Sequence, residues 1–78
     1  MNDYKNYYTE DVANNHITSP DILRKILKRG NDDNVSMYTS DNPNCPPDAL
    51  KMVLERGKND WVSVYAAGNP NGDIIEVF

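Results

Sequence analysis

The stretch Pro20-Asp21-Ile22-Leu23-Arg24-Lys25-Ile26-Leu27-Lys28-Arg29-Gly30 returns 27 residues later as Pro47-Asp48-Ala49-Leu50-Lys51-Met52-Val53-Leu54-Glu55-Arg56-Gly57. The same offset carries Asp33 to Asp60, Val35-Ser36 to Val62-Ser63, Tyr38 to Tyr65, and Asn42-Pro43-Asn44 to Asn69-Pro70-Asn71. Agreement at this many positions in one register marks an internal repeat, and a fixed period of 20–50 residues is the signature of a stacked array.

Each unit reads as two short helices. In the first, Ser19 is a good N-cap and Pro20 suits the first helical position, where a missing N–H leaves nothing unpaired. Asp21 sits at the positive end of the helix dipole, and Lys28 and Arg29 sit at its negative end. Ile22, Leu23, Ile26 and Leu27 follow the i, i+3, i+4 spacing of one apolar stripe. Gly30 and its copy Gly57 are placed to close these helices with a left-handed residue. Asp33 and Asp60 are the candidate N-caps of a shorter second helix. On it, Val35, Tyr38 and Thr39 share one face, and Val62, Tyr65 and Ala66 share the matching one. Asn-Pro then ends the helix, because the residue before proline is pushed out of the helical region. Leu23, Ile26, Leu27, Leu50, Val53, Leu54, Val35, Val62, Tyr38 and Tyr65 are the expected core.

The ends of the chain are fractions of a unit. Residues 1–14 are expected to form an N-terminal capping half-repeat, with a helix over Tyr4 to Ala13 carrying Tyr4, Tyr7 and Tyr8. Residues 15–41 and 42–68 are the two full repeats, and 69–78 begin a truncated third, capped by Asp73. Two helices per unit with short links describe an all-α solenoid of about two and a half repeats, whose neighbours share one core.

The pattern Pro-Asp-x-Leu-x-x-x-Leu-x-x-Gly, followed by Asp-x-Val-Ser-x-Tyr-x-x-x-Asn-Pro-Asn, resembles leucine-rich repeat variant units and, more loosely, HEAT-like repeats. The resemblance covers roughly Tyr8 to Asn71. It implies a right-handed superhelix of alternating α and shorter helices, and a scaffold for macromolecular contact without a catalytic residue set. The unit here is a few residues longer than the usual variant repeat. The cysteine cluster that carries an iron–sulfur site in some members is missing, so no cofactor carries over.

Composition narrows the function classes. The 78 residues make one small domain, with Asp and Glu exceeding Lys and Arg by a net charge of −4. That balance argues against a protein that neutralises many nucleic-acid phosphates. No apolar run approaches the ~20 residues of a membrane span. A polar N-terminus argues against a signal peptide, and a cytoplasmic location is expected. The single cysteine, Cys45, precedes Pro46-Pro47 and reads as an inert small side chain. The single histidine, His16, stands where the other units have Pro43 and Pro70 and reads as a loop residue. Asn31-Asp32-Asp33-Asn34 lacks the central glycine and distal glutamate of a calcium loop. No nucleophile–base pair or metal cluster emerges, so catalytic, cofactor-binding and metal residues are all expected to be none.

Two ridges remain as candidate contact surfaces. Arg24, Lys28, Arg29, Lys51 and Arg56 lie on or just after the first helices, and repeat-equivalent members are expected to align as a basic ridge. On the second helix of the later unit, Trp61 replaces Asn34 and Val64 replaces Met37, so Trp61, Val64 and Tyr65 lie together on a helical wheel. Trp and Tyr are frequent interface anchors. Ile75 and Phe78 join them as candidate protein-binding residues, because Asp73-Ile74-Ile75-Glu76-Val77-Phe78 is apolar at four of its last five positions. The expected function is a non-enzymatic protein-binding module, an adaptor or small subunit that meets a protein partner or a second copy of itself through the C-terminal end. The alternative is a small acidic inhibitor of a nucleic-acid-handling machine, of the kind a phage encodes.

Overall fold

The computed structural model describes residues 8–72. Over that range the chain is all-helical, with five α-helices and a closing 3₁₀ turn: α1 Glu10–Asn14, α2 Pro20–Lys28, α3 Asn34–Asp41, α4 Pro47–Glu55, α5 Trp61–Gly68, and the turn Pro70–Gly72. No described helix is long and apolar enough to cross a membrane.

Local chemistry sets each boundary. The Ser19 hydroxyl accepts from the Ile22 N–H at the start of α2. The carboxylates of Asp33 and Asp60 accept from the Ser36 and Ser63 N–H groups at the starts of α3 and α5. α4 has no such side-chain cap, since Pro46 stands in that place. Gly30 and Gly57 adopt φ of 72° and 67°, the only positive values among the described residues. Each follows directly on a helix C-cap, Arg29 or Arg56, where only glycine takes this conformation without strain.

The start of α1 differs from expectation. The helix anticipated over Tyr4 to Ala13 begins, in the described range, only at Glu10. Thr9 is its cap, accepting from the Val12 N–H at 3.2 Å. Glu10 and Asp11 then occupy the first turn, where the dipole favours carboxylates. Tyr8 precedes the helix, and Tyr4 and Tyr7 lie outside the described residues.

α3 lies between α1 and α5, and α2 lies beside α4; α2 packs on α3, and α4 on α5. The core between these two layers is formed by Ala13, Leu23, Ile26, Leu27, Cys45, Ala49, Leu50, Val53, Val62 and Ala66. Val35 packs on its edge, and Tyr38 and Tyr65 are half-buried rather than core. Leu54 departs from expectation more sharply: it is 38% exposed, whereas its equivalent Leu27 is 3% exposed. α4 runs alongside α2, and among the described residues its main other neighbours are α5 and the short Pro70–Gly72 turn, which leave Leu54 partly in water.

Ser36, Thr39 and Ser40 are buried on α3. Their small size lets α3 approach the helices on either side of it. The Thr39 hydroxyl donates to the Val35 carbonyl at 2.7 Å and the Ser40 hydroxyl to the Met37 carbonyl at 2.9 Å, so neither is buried unpaired.

The Asn-Pro-Asn motifs do more than stop a helix. Asn42 Nδ2 donates to the carbonyls of Ala13 and Asn15, at 2.8 and 3.0 Å. Asn69 Nδ2 repeats this on Ser40 and Asn42, both at 2.9 Å. Each Oδ1 in turn accepts the N–H two residues on, from Asn44 and from Asn71. Asn44 Nδ2 reaches Thr18 O, and Asn71 Nδ2 reaches Pro43 O and Cys45 O. An amide is required at Asn42 and Asn69, because the group must donate across to one loop and accept within its own.

Candidate functional site

The free surface of α5 carries the most exposed aromatic group in the described chain. Trp61 is 65% exposed and Val64 50% exposed, with Tyr65 half-buried beside them. The Trp61 and Tyr65 rings lie 6.3 Å apart, tilted by 39°, within the range of a favourable aromatic pair. α5 exposes these residues because Val62 and Ala66 take its core side and Asp60 fixes where the helix starts. The Asp60 carboxyl is held below the usual carboxylate range by the Ser63 N–H, helped by the nearby charges of Arg56 and Lys58. The expected neighbours Ile75 and Phe78 lie outside the described residues.

The same face continues across α3, where Asn34, Met37, Tyr38 and Asp41 share one side of the helix. Beyond α3 it reaches Glu10 and Asp11 on α1. The Asn34 amide touches the Glu10 carboxylate at 3.5 Å, which joins the two helices along this face.

The basic residues are differently occupied. Arg24 makes a two-pronged bond to Asp48, Nε to Oδ2 at 2.8 Å and Nη2 to Oδ1 at 3.1 Å, and also pairs with Asp21. This fork spans α2 to α4 and holds the Asp48 carboxyl below its ordinary range. Arg29 turns inward. It donates to Ile26 O, to both Asp33 oxygens and to Ser36 Oγ, and lies 4.9 Å over the Tyr8 ring. Burial pushes the Asp33 carboxyl up, but the Ser36 N–H and hydroxyl and the Arg29 charge outweigh it, leaving a lowered value. Lys51 is 3.9 Å from Glu55, and Lys28 is exposed.

Arg56 breaks the repeat's pattern. Its Nε and Nη2, and the Ser63 hydroxyl, are buried without a hydrogen-bond partner among the described residues. Arg29 and Ser36, their equivalents, bond each other at 3.0 Å. Val35 stands at the repeat position of Tyr8, so the later unit has no aromatic ring there to hold the guanidinium. A Cβ placed at Gly30 would lie 3.8 Å from Arg56 Nη1, so this side chain reaches toward the preceding loop.

Cys45 is fully buried, and desolvation pushes its thiol up to about 12. His16 is exposed in the loop before α2. Among the described residues no pocket is present, and no group of three His, Cys, Asp or Glu side chains could hold a metal ion. Comparison with family models, curated proteins and solved structures finds no match to this chain.

Proposed function

We propose that the chain is a short stretch of right-handed α-solenoid, of the leucine-rich repeat variant or HEAT-like kind, acting as a non-enzymatic protein-binding module. The observation that carries this reading is the exposed Trp61–Val64–Tyr65 group on α5. A tryptophan left 65% exposed beside a tyrosine and a half-exposed valine is an unfilled anchor of the type that dominates interface energetics. The 27-residue spacing of the asparagine bonds, from Asn42 to Asn15 and from Asn69 to Asn42, favours a stacked array. The internal pairing of Arg24 and Arg29 leaves the first-helix surface poorly suited to a phosphate backbone.

The test compares wild type with a Trp61→Asp, Val64→Asp variant as bait in affinity capture from the source cells, read by quantitative mass spectrometry. Both sites are exposed, so the variant should keep the wild-type circular dichroism spectrum. A protein captured by wild type and lost from the folded variant is the expected result. Identical captured sets would refute the assignment of this face.

A further inference from the structure

The chemistry of the partner can be narrowed, on the reading that the α5 face binds protein. We infer that the partner offers this face a basic segment, one that carries Lys or Arg together with large apolar side chains.

The layer formed by α1, α3 and α5 contains no Lys or Arg at all; its charged residues are Glu10, Asp11 and Asp41, all exposed. The helix-borne bases are thus confined to the other layer, where Arg24, Lys25, Lys28 and Lys51 lie on α2 and α4 beside Asp21, Asp48 and Glu55. The helix ends strengthen the asymmetry. α1, α3 and α5 have no base in the last turn, and Asp41 adds a carboxylate to the negative end of α3. A carboxylate there is locally unfavourable, and an incoming cation relieves it. By contrast, α2 ends in Lys25 and Lys28, while α4 has no base in its last turn either. Bases from outside the layer meet it at its helix starts, where Arg29 bonds Asp33 and Ser36, and where the charges of Arg56 and Lys58 bear on the Asp60 carboxylate.

The apolar end of the face points the same way. The Trp61 and Tyr65 rings present π-faces that attract guanidinium and ammonium groups, tryptophan most strongly. From α1 to α5 the surface therefore runs from carboxylates, through Asn34, Met37 and Tyr38, to aromatic rings. A segment with cations toward α1 and apolar groups or arginine toward α5 meets complementary chemistry along its whole length. An acidic segment meets repulsion at one end and gains nothing electrostatic at the other.

A phage-displayed random-peptide library tests this, selected on the full chain and counter-selected on the folded Trp61→Asp, Val64→Asp variant. The expected winners carry net positive charge together with large apolar residues. Synthetic copies should blue-shift the emission of Trp61, the sole tryptophan. They should bind about tenfold more weakly to a Glu10→Gln, Asp41→Lys variant, as expected when charge complementarity is lost. That variant is chosen to fold: glutamine keeps an acceptor for Asn34, and lysine suits the end of α3. Trp61-dependent winners that are neutral or acidic would overturn the basic-partner inference while leaving the binding-module reading intact. A library that yields no Trp61-dependent peptide would overturn both.

Discussion

Replacing Asn69 with alanine should remove most of the protein's stability, although it removes only an amide from a loop. Asn69 is 2% exposed. Its Nδ2 serves the Ser40 and Asn42 carbonyls, and its Oδ1 accepts the Asn71 N–H. Asn42 O keeps a second donor, the Cys45 N–H at 2.9 Å. Ser40 O lies in the last turn of α3, and it and the Asn71 N–H would each be left short of a partner. An orphaned buried polar group costs roughly 1–3 kcal/mol, and the half-buried Asn71 recovers some of that from water. The expected loss is about 2–4 kcal/mol, against a total of only ~3–5 kcal/mol for a domain of this size. With a urea slope near ~1 kcal/mol/M, the midpoint should fall by about 2 M or more. Urea titration followed by circular dichroism and by Trp61 emission reads this directly. Asn59→Ala, at an exposed position, is the control and should stay within about 0.5 kcal/mol of wild type. If Asn69→Ala melted like Asn59→Ala, the asparagine bonds would not be holding the loops together.

Other outcomes follow from paired positions. Leu50→Ala should destabilise by ~2–5 kcal/mol, as buried leucine truncations do, while Leu54→Ala should cost well under that because Leu54 already meets water; thermal melts of the two rank them. Arg29→Met should destabilise, since it strips Asp33, Ser36 and Ile26 O of a partner, whereas Arg56→Met should be neutral or stabilising because it removes unpaired buried donors; equal losses at both sites would contradict the asymmetry. Cys45 should resist a thiol-reactive dye in the native protein at pH 8 and react at once in urea, and rapid native labelling would show that the site opens. The carboxyls of Asp33, Asp48 and Asp60 are all lowered in the folded state, so their contribution is present above the ordinary carboxylate pKa and is lost as pH falls through the lowered values. The urea midpoint should therefore drop between about pH 4 and pH 2, and Asp60→Asn should flatten that limb.

The parts of the fold legible in the chain were those settled within a few residues. Ser19, Asp33 and Asp60 cap helices by bonding an N–H three positions on, and Gly30 and Gly57 close helices through their own backbone freedom. Thr9 escaped the reading because the tyrosine spacing at the N-terminus favoured an earlier start, while its cap bond to Val12 was equally local. The wheel that grouped Trp61, Val64 and Tyr65 was likewise a local deduction, though it left open whether another helix would cover them.

What the sequence by itself determined was the helical class, the 27-residue offset and the inward side of α2, because caps and apolar spacing act over one or two turns, whereas α3 buries Ser36, Thr39 and Ser40 rather than Val35 and Tyr38. Only the tertiary structure decided which equivalent residues share a fate. Leu27 is buried and Leu54 is not, and Arg29 is paired while Arg56 Nε and Nη2 have no hydrogen-bond partner among the described residues. Asn42 and Asn69 bind carbonyls 27 and 29 residues away, and the Trp61 ring stays in water. Each of these depends on which neighbouring unit lies alongside. A repeat specifies the same local chemistry in every copy, but burial and pairing belong to the contact between copies, where Tyr8 in one place and Val35 in the next give a guanidinium different surroundings.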